Sequence, residues 1–423
     1  MFALKFSIST SALSRKLTRS MRSKCAAGTP AVASGLLVMA SACTHSDEPA
    51  PAPDTRATSI LLYAVASNNL AYDYADDLEE LLQGMKSTDP AQADIWVYSL
   101  TNRIAPALQR VVRNADGSAA LETVKLYTRD IFSTDPARIS EVITDYTSLS
   151  AADQRGIIFW SHATGWQPDF STHTVPSEAS RPATGNEHDM TVSYSYGADQ
   201  YLGVTDSCDI LELDNAIPAA TFDFIWFDCC YMSSIEVLYQ LRDKAPYIVA
   251  YPTEVAAEGM PYDLTIPYLA RRDFDLTGAA RAMTDYYLDR NQVITIAVCR
   301  TAGLDALAVE AEKAIGGTRP AMIQLQRYSR APNGPFFDFG QYSRTWGESR
   351  TDGDWDTAAF TEALDDVVVY KAASARGFDG RAIDPENFSG ISCHYFEDYE
   401  MPADDYYKQL DWYKAVYPRY VQQ

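Results

Sequence analysis

The sequence predicts an α/β protein built on a mainly parallel sheet with helices on both faces. Short apolar and aromatic runs alternate with longer segments in which apolar residues recur at helical spacing. This alternation favours parallel pairing, because each helix carries the chain back to the same end of the sheet and covers one face. In residues 222–232, FDFIWFDCCYM, a buried-strand pattern stops at Asp228, Cys229 and Cys230, and the helix-like stretch SSIEVLYQLRDK follows.

Apolar runs separated by helical patterns define the first half of the predicted fold. The run 59–66, SILLYAVA, is long enough for one strand and ends at Asn68 and Asn69, which are common helix-starting residues. The elements predicted next are a helix at 72–85, strands at 95–100 and 123–127, a helix at 136–149 and a strand at 156–160. Residues 167–220 are polar and rich in Ser, Thr, Pro and Gly, which predicts a long irregular insertion.

The second half continues the pattern after the strand at 222–227. Strands are predicted at 247–250, 293–298, 367–370 and 391–395, and helices at 264–271, 277–288 and 303–315. Residues 336–346 are predicted to form an aromatic loop. We expect residues 58–300 to form one domain and residues 301–423 to form an extension packed on it.

The N-terminus has the residue order of a secretory signal. Early basic residues precede the weakly apolar run AAGTPAVASGLLVMASA, which is too short and too rich in small residues for a stable membrane span. The ending MASAC resembles a bacterial lipobox, which implies removal of residues 1–42 and acylation of Cys43. Residues 43–57 would then be a flexible tether. Acidic residues at 46–48 resemble the export tags of Bacteroides-type surface lipoproteins, so we expect an exposed outer-membrane location; an ordinary cleaved signal is the alternative.

Composition argues against several classes of function. The 423-residue chain has a net charge of −22, which disfavours binding of nucleic acid or of anionic membranes by the folded part. The charge is compatible with attraction of cationic substrates, although ordinary solubility is the simpler interpretation. The motifs GxGxxG, GxxxxGK and HExxH are missing from the sequence, so nucleotide-binding and zincin functions have no support.

Cysteine usage indicates a free thiol. The cysteines after residue 43 are Cys208, Cys229, Cys230, Cys299 and Cys393, and an odd number in an exported chain leaves at least one unpaired. Their spacing contains no CxxC pair, which argues against structural zinc.

Two predicted strands end in residues suited to thiol chemistry. The strand 156–160, GIIFW, is followed by Ser161 and His162, and the strand 222–227 is followed by the cysteines. Open α/β sheets bind ligands beyond the carboxyl ends of their strands, so a cysteine and a histidine there are the minimum set for nucleophilic thiol catalysis. The other histidines have no recognisable partners and are expected to be surface or structural: His45, His173, His188 and His394.

The motif WSHATGW, followed 68 residues after its histidine by the second cysteine of FDCCYM, resembles the clostripain-like cysteine peptidases. The segments LLYAVASNNL, GISCHYF and YYKQLDWYK are also similar to that family, so the resemblance covers roughly residues 58–418. It implies a caspase-like fold, with Cys230 as nucleophile and His162 as base. The backbone amides of Cys230 and Ala163 would face the oxyanion.

Physical chemistry supports these roles, and two positions depart from the family pattern. A thiolate at the start of the following helix would gain from the helix dipole and from free N–H groups, which lower its pKa. Ala163 stands where the family has glycine, and a positive φ there would be strained. Cys229 stands where the family has alanine; strand alternation points it away from Cys230, which predicts a packing role.

Acidic residues near the cysteine suggest a preference for cationic side chains. The resemblance implies that Asp228 lines the pocket for a substrate lysine or arginine; the alternative is that it holds loop amides. Glu254 and Glu258 would form a second acidic wall, or else are surface carboxylates. Arg181 is the one basic residue between His162 and Cys230, and Pro182 after it resists cleavage. We therefore expect a single chain without internal maturation.

The sequence thus predicts a surface or periplasmic lipoprotein endopeptidase with a Cys–His dyad that cuts after Lys or Arg. The alternative is a non-catalytic binding lipoprotein that keeps the fold. We expect a peptide or protein substrate, no nucleic-acid partner, membrane contact through the lipid anchor only, and a monomer. No cofactor is predicted: the family has a precedent for calcium, but the sequence has no DxDxDG-type loop, so no metal site is assigned.

Overall fold

The computed structural model describes residues 57–102, 104–168, 195–328, 336–395 and 404–417. The predicted signal peptide and nearly all of the tether lie outside these ranges, as do Cys43, His45, His173, Arg181 and His188. The predictions that concern those residues stay predictions.

The strands within the described ranges are β1 (Thr58–Ala66), β2 (Ala93–Thr101), β3 (Ala107–Arg113), β4 (Ala119–Leu126), β5 (Gln154–Trp160), β6 (Tyr196–Tyr201), β7 (Val204–Cys208), β8 (Phe224–Asp228), β9 (Tyr247–Ala250), β10 (Thr295–Arg300), β11 (Phe336–Asp338), β12 (Val368–Ala373) and β13 (Ser392–His394). A nine-stranded sheet has the order β12-β10-β9-β8-β5-β1-β2-β3-β4, and β6-β7 and β11-β13 are two-stranded. The central five strands, from β9 to β2, pair in parallel.

The helices in the same ranges are α1 (Ala71–Gly84), α2 (Pro136–Leu149), α3 (Ile210–Ala216), α4 (Ile235–Gln240), α5 (Tyr262–Leu269), α6 (Leu276–Asp289), α7 (Leu304–Ile315), α8 (Phe339–Gly347), α9 (Thr357–Val367), α10 (Asp404–Tyr407) and α11 (Asp411–Val416). Local capping explains several starts. Asp135 caps α2 ahead of Pro136, and Asp209 forms a capping box with Glu212 at α3. None of the helices in the described ranges is long and apolar enough to cross a membrane.

Two hydrophobic layers sandwich the sheet. In β1 the side chains of Leu61, Tyr63 and Val65 face one layer, and those of Leu62 and Ala64 face the other. Helices α2, α3, α4, α7, α8, α9 and α11 pack on the first face, and α1, α5 and α6 on the second. All nine residues of β1 are buried, which is why the strand has a continuous apolar run rather than an alternating pattern. The predicted α/β class with helices on both faces is confirmed.

Several predicted elements were wrong or missed. The segment expected to be irregular contains the hairpin β6-β7 and helix α3 in its described part. The predicted aromatic loop is strand β11 followed by α8, and strand β3 and helix α9 had not been predicted. Strand β3 has a half-exposed, polar sequence, ALQRVVR, so its pattern is weak compared with the buried centre of the sheet.

The C-terminal residues contribute directly to the main sheet. Strand β12 pairs antiparallel with β10, and Pro53–Gln423 group as one compact unit. The predicted domain boundary between residues 300 and 301 stays a prediction.

Candidate active site

The carboxyl ends of β5 and β8 bring His162 and Cys230 to neighbouring positions. These strands are adjacent and parallel, and Trp160 pairs with Asp228 at their ends. His162 and Cys230 each lie two residues beyond that pair. Because neighbouring strands are about 4.8 Å apart, equal offsets place the imidazole and the thiol on adjacent strand ends at one edge of the sheet. Both residues are half-buried, so solvent reaches this edge.

The sulfur of Cys230 lies against the main chain of the loop that follows β9. The backbone N–H of Val255 points at Cys230 Sγ with an N–S distance of 3.4 Å. The carbonyl oxygen of Val255 is 3.9 Å from the same sulfur. The N–H can donate to the sulfur and the carbonyl can accept from the thiol hydrogen, so the main chain of Val255 fixes the position of the Cys230 side chain.

The helix predicted over the stretch SSIEVLYQLRDK is present in the middle of that stretch. Helix α4 begins at Ile235, with Ser234 as its N-cap, and it is only six residues long. The effect of a helix dipole falls off within the first turn, and the action of this helix on Cys230 stays a prediction.

A strained residue follows the cysteine. Tyr231 has a positive φ of 62°, in the left-handed region that costs a residue with a side chain about 1 kcal/mol or more. Its N–H donates to the carbonyl of Thr253 at 2.9 Å, and its ring stacks on Phe336 at 4.5 Å between centroids. These contacts hold a sharp turn directly after Cys230, which leaves the thiol at the sheet edge while the chain bends away.

His162 has a defined side-chain partner. Its Nε2 atom lies 2.8 Å from Oδ1 of Asn69, which follows β1, the strand next to β5. Burial lowers the pKa of the His162 imidazole. The carbonyl of His162 accepts a hydrogen bond from the N–H of Gly197 at 2.8 Å, which ties the histidine to the β6 hairpin. Sequence reasoning had treated Asn69 only as a helix-starting residue.

Ala163 occupies its position without backbone strain. It is not among the residues with positive φ; that conformation occurs two residues later, at Gly165, where φ is 67°. Ala163 is buried and forms an antiparallel bridge with Tyr196. The replacement of the family's glycine is therefore tolerated locally. The oxyanion role of the Ala163 and Cys230 amides stays a prediction.

Asp228 is buried and holds neighbouring groups by its carboxylate. It accepts hydrogen bonds from the hydroxyls of Tyr251 at 3.2 Å and Tyr262 at 3.0 Å, and from the backbone N–H of Met260 at 3.1 Å. The contact with the Met260 amide is the one expected if Asp228 holds the loop; its other predicted role, in a pocket for substrate lysine or arginine, stays a prediction. Burial raises the pKa of Asp228 to about 6, against the lowering effect of its donors.

A second buried carboxyl, Asp77 on α1, was missed. Its Oδ2 accepts from Trp160 Nε1 at 2.7 Å. Burial, with the charge of Asp228 as the next cause, raises the pKa of Asp77 to about 9. The available signal in the sequence was the acidic pattern of the helix that follows β1.

Glu254 and Glu258 differ in exposure. Glu254 is buried, so the alternative of a surface carboxylate was wrong for it, whereas Glu258 is exposed. Asp73, half-buried on α1, has a pKa raised by burial and then by the charges of Glu258 and Asp76. Asp73 on α1 is therefore close enough to Glu258, on the loop after β9, for the charge of Glu258 to act on it.

The remaining cysteines are structural, as are the contacts of His394. Cys208, Cys229, Cys299 and Cys393 are free and buried. Burial raises the pKa of the Cys229 thiol well above its usual value, in keeping with a packing role beside Cys230. The ring of His394 packs on Trp166 and Tyr407, and the backbone N–H of His394 donates to the Glu236 carboxylate at 2.8 Å. Among the described residues, no group of three or more His, Cys, Asp and Glu side chains could hold a metal ion.

Comparisons with known proteins bear on the fold and on the family. Similar solved structures include a secreted C11 cysteine protease from Bacteroides thetaiotaomicron in complex with an irreversible peptide inhibitor, 24% identical with a TM-score of 0.70, covering 85% of this chain and 98% of that one. An inactive zymogen C11 protease from Parabacteroides distasonis is 24% identical with a TM-score of 0.71, covering 86% and 99%. These likenesses confirm the caspase-like fold. No curated protein matches the chain.

The family is established by sequence. The model of the clostripain family of C11 peptidases matches residues 62–417, most of the chain. This match confirms both the resemblance and the predicted enzyme class, a cysteine-type peptidase and therefore a hydrolase. The chain belongs to the clostripain family.

Proposed function

We propose that the protein is an endopeptidase in which Cys230 and His162 form the catalytic dyad and cleavage follows lysine or arginine. The observation that carries the proposal is the paired offset of the two residues beyond Trp160 and Asp228 on adjacent parallel strands. The family supplies the reaction class, and this geometry supplies a thiol and an imidazole at one accessible edge.

The first step is proton transfer from the Cys230 thiol to the His162 imidazole. The lowered pKa of His162 keeps the imidazole neutral and able to accept near neutral pH. The Val255 N–H supports the thiolate that remains. General base catalysis of this kind contributes about 10²–10⁴-fold to the rate.

The thiolate then attacks the scissile carbonyl carbon, and the negative charge moves to the carbonyl oxygen. Collapse of the tetrahedral intermediate breaks the C–N bond, and the departing amine takes the proton from His162. Water, deprotonated by the same imidazole, hydrolyses the thioester and regenerates the thiol. Backbone amides at the two strand ends are the proposed oxyanion donors.

Preference for a cationic side chain is supported by the charges around the crevice. Glu258 is exposed three residues beyond Val255, whose main chain contacts Cys230, and Asp73 is half-buried close enough for its pKa to respond to Glu258. Asp228 lies buried beneath the same loop and accepts a hydrogen bond from the Met260 N–H. A lysine or arginine before the cut bond would meet negative potential on this side of the nucleophile.

The natural partner is proposed to be a peptide or protein. The related Bacteroides thetaiotaomicron protease is described in complex with a peptide inhibitor, and the same protease is described as secreted. We propose that this chain is likewise exported and is retained at the outer membrane by a lipid on Cys43. Metabolic labelling with an alkyne fatty acid should mark the wild type and not Cys43→Ala, and a soluble wild-type protein without lipid would contradict the anchor.

A covalent probe tests the dyad and the specificity together. A lysyl or arginyl acyloxymethyl ketone should label the wild type and Cys229→Ala, but not Cys230→Ala, and His162→Ala should react far more slowly. An aspartyl probe of the same length is the matched control for the cationic pocket. Labelling of Cys230→Ala would refute the assigned nucleophile, and failure of every probe on the folded wild type would favour the non-catalytic binding lipoprotein.

A further inference from the structure

We propose that Asn69 is a positioning residue for His162: its side-chain carbonyl fixes the imidazole in the Nε2–H tautomer and so makes Nδ1 the nitrogen that exchanges protons with Cys230. This inference rests on the proposed dyad. Asn69 touches neither the nucleophile nor the scissile bond in this scheme, and it acts through the histidine alone.

The contact assigns the donor. Asn69 Oδ1 lies 2.8 Å from His162 Nε2. With the Asn69 amide oriented so that Oδ1 faces the ring, Nε2 carries the hydrogen, and in a neutral imidazole the lone pair is then on Nδ1. The base that takes the thiol proton is therefore Nδ1. After the transfer both nitrogens carry hydrogen, and the Asn69 contact is kept throughout the cycle.

The side chain of Asn69 has no structural task that would explain its contact. It is exposed, and in the part of the chain that the structure describes, His162 is its hydrogen-bond partner. An exposed asparagine at a strand-to-helix junction can ordinarily turn towards water. Here it turns to the imidazole that follows the neighbouring strand.

The neighbouring residue, Asn68, does the structural work. Its Nδ2 donates to the carbonyls of Val65 at 3.0 Å and Ala198 at 2.8 Å, and its Oδ1 accepts from Leu70 N–H at 2.9 Å. These contacts lock the turn between β1 and α1 and join it to the β6 hairpin. The backbone of Asn69 is thus held in a rigid turn, so its side chain loses little conformational entropy when it binds His162.

An amide suits this role better than a carboxylate would in a half-buried setting. A neutral carbonyl orients the ring without favouring the imidazolium, so the lowering of the His162 pKa by burial persists. A carboxylate at the same position would stabilise the imidazolium and raise that pKa. Asn69→Asp therefore keeps an acceptor for the imidazole but adds a negative charge. Asn69→Ala removes the acceptor.

The test compares Asn69→Ala and Asn69→Asp in the mature full-length protein, with Asn102→Ala as control. Asn102 is an exposed asparagine that follows β2 at the same edge of the sheet. In Asn69→Ala we expect kcat for a lysyl or arginyl peptide to fall about 10–100-fold because the ring loses its orientation, with KM within about twofold and Tm unchanged. In Asn69→Asp the limb of the pH–rate profile that reports His162 should move to higher pH.

Nitrogen-15 NMR of labelled histidine gives a readout that needs no turnover. The His162 signal, identified by its loss in His162→Gln, should show the Nε2–H tautomer in the wild type and a mixture in Asn69→Ala. An unchanged tautomer in Asn69→Ala, or a fall in Tm that accounts for the lost rate, would overturn the proposal. Because the tautomer is visible in an inactive protein, failure of the peptidase assignment is distinguishable from failure of this inference.

Discussion

Asp77 and Asp228 bring two buried carboxyl groups to the same glycine: a Cβ atom added to Gly259 would lie 3.0 Å from an Asp228 oxygen and 3.4 Å from an Asp77 oxygen. Gly259 has a positive φ of 58° and closes the loop that carries Val255 to Cys230. Both carboxyl groups therefore pack against the loop whose main chain contacts the nucleophile.

This pair makes folding stability depend on pH. The pKa of Asp77 is raised to about 9, so the folded state binds a proton that the unfolded chain releases near pH 4. The contribution of the Asp77 proton to the free energy of unfolding is greatest below pH 4 and is lost as the pH rises from 4 towards 9. Asp77→Asn keeps an acceptor for Trp160 and needs no proton, so its Tm should exceed that of the wild type increasingly between pH 5 and pH 9.

The control for that measurement is Asp76→Asn, which changes an exposed carboxylate on the same helix. Its Tm should follow the wild type across the whole pH range. Parallel curves for Asp77→Asn and the wild type would show that Asp77 does not hold the proton.

The Val255 amide should control the reactivity of Cys230. Val255→Pro removes the N–H that points at the sulfur, whereas Val255→Ala keeps it and shortens the side chain. A hydrogen bond to a charged group is worth about 1.5–3 kcal/mol, so loss of the donor should slow alkylation at pH 7 by about tenfold or more. Iodoacetamide rates across pH give the thiolate pKa directly. Equal thiolate pKa values in Val255→Pro and Val255→Ala would show that the Val255 N–H does not stabilise the Cys230 thiolate.

The turn at Tyr231 should prefer glycine to alanine. Both substitutions lose the stacking on Phe336, but only glycine adopts a φ of 62° freely. We expect Tyr231→Gly to be more stable than Tyr231→Ala by about 1 kcal/mol in urea unfolding. The opposite order, which is usual at unstrained positions, would mean that the left-handed turn is not kept in solution.

The carboxylates of half-buried Asp73 and exposed Glu258 should tune substrate preference. Neutralising them in Asp73→Asn and Glu258→Gln should lower kcat/KM for lysyl and arginyl peptides by about 3–10-fold, with less effect on neutral peptides and less effect at high salt. Glu79→Gln, an exposed change elsewhere on α1, serves as the matched control. A uniform loss for all peptides would indicate a structural cause instead.

The mature protein should remain one chain. The interval between the proposed base and nucleophile has Arg181 as its basic residue, and Pro182 follows it. Intact-mass spectrometry of purified, incubated protein should give a single species. Two fragments that meet within this interval would contradict the prediction.

Strand identity was predictable because the centre of the sheet is buried on both faces. Strands β1, β5, β8 and β9 have continuous apolar sequences, and the residues that follow them stand out by contrast. Strand β3, next to the edge of the sheet, and the β6-β7 hairpin carry mixed patterns. Their stability comes from neighbours distant in the chain, so local sequence predicts them poorly.

The start of α4 shows how tertiary contacts override a local pattern. The stretch after Cys230 has helical character in sequence, yet Ser233 N–H donates to the Tyr251 carbonyl at 3.0 Å and its own carbonyl accepts from Ser392 at 2.8 Å. The N–H and the carbonyl of Ser233 are hydrogen-bonded to the residue after β9 and to β13, so they are not available for helical hydrogen bonds. The helix therefore begins only at Ile235.

The amino-acid sequence by itself determined the family, the α/β class and the two residues proposed for catalysis, because these follow from local patterns at the ends of buried strands. Only the tertiary structure decided which groups surround them: Asn69 at the imidazole, Val255 at the sulfur and Asp77 beneath the loop. Each of these lies far along the chain from its partner. The order of strands in the sheet, which no local pattern encodes, is what brings them together.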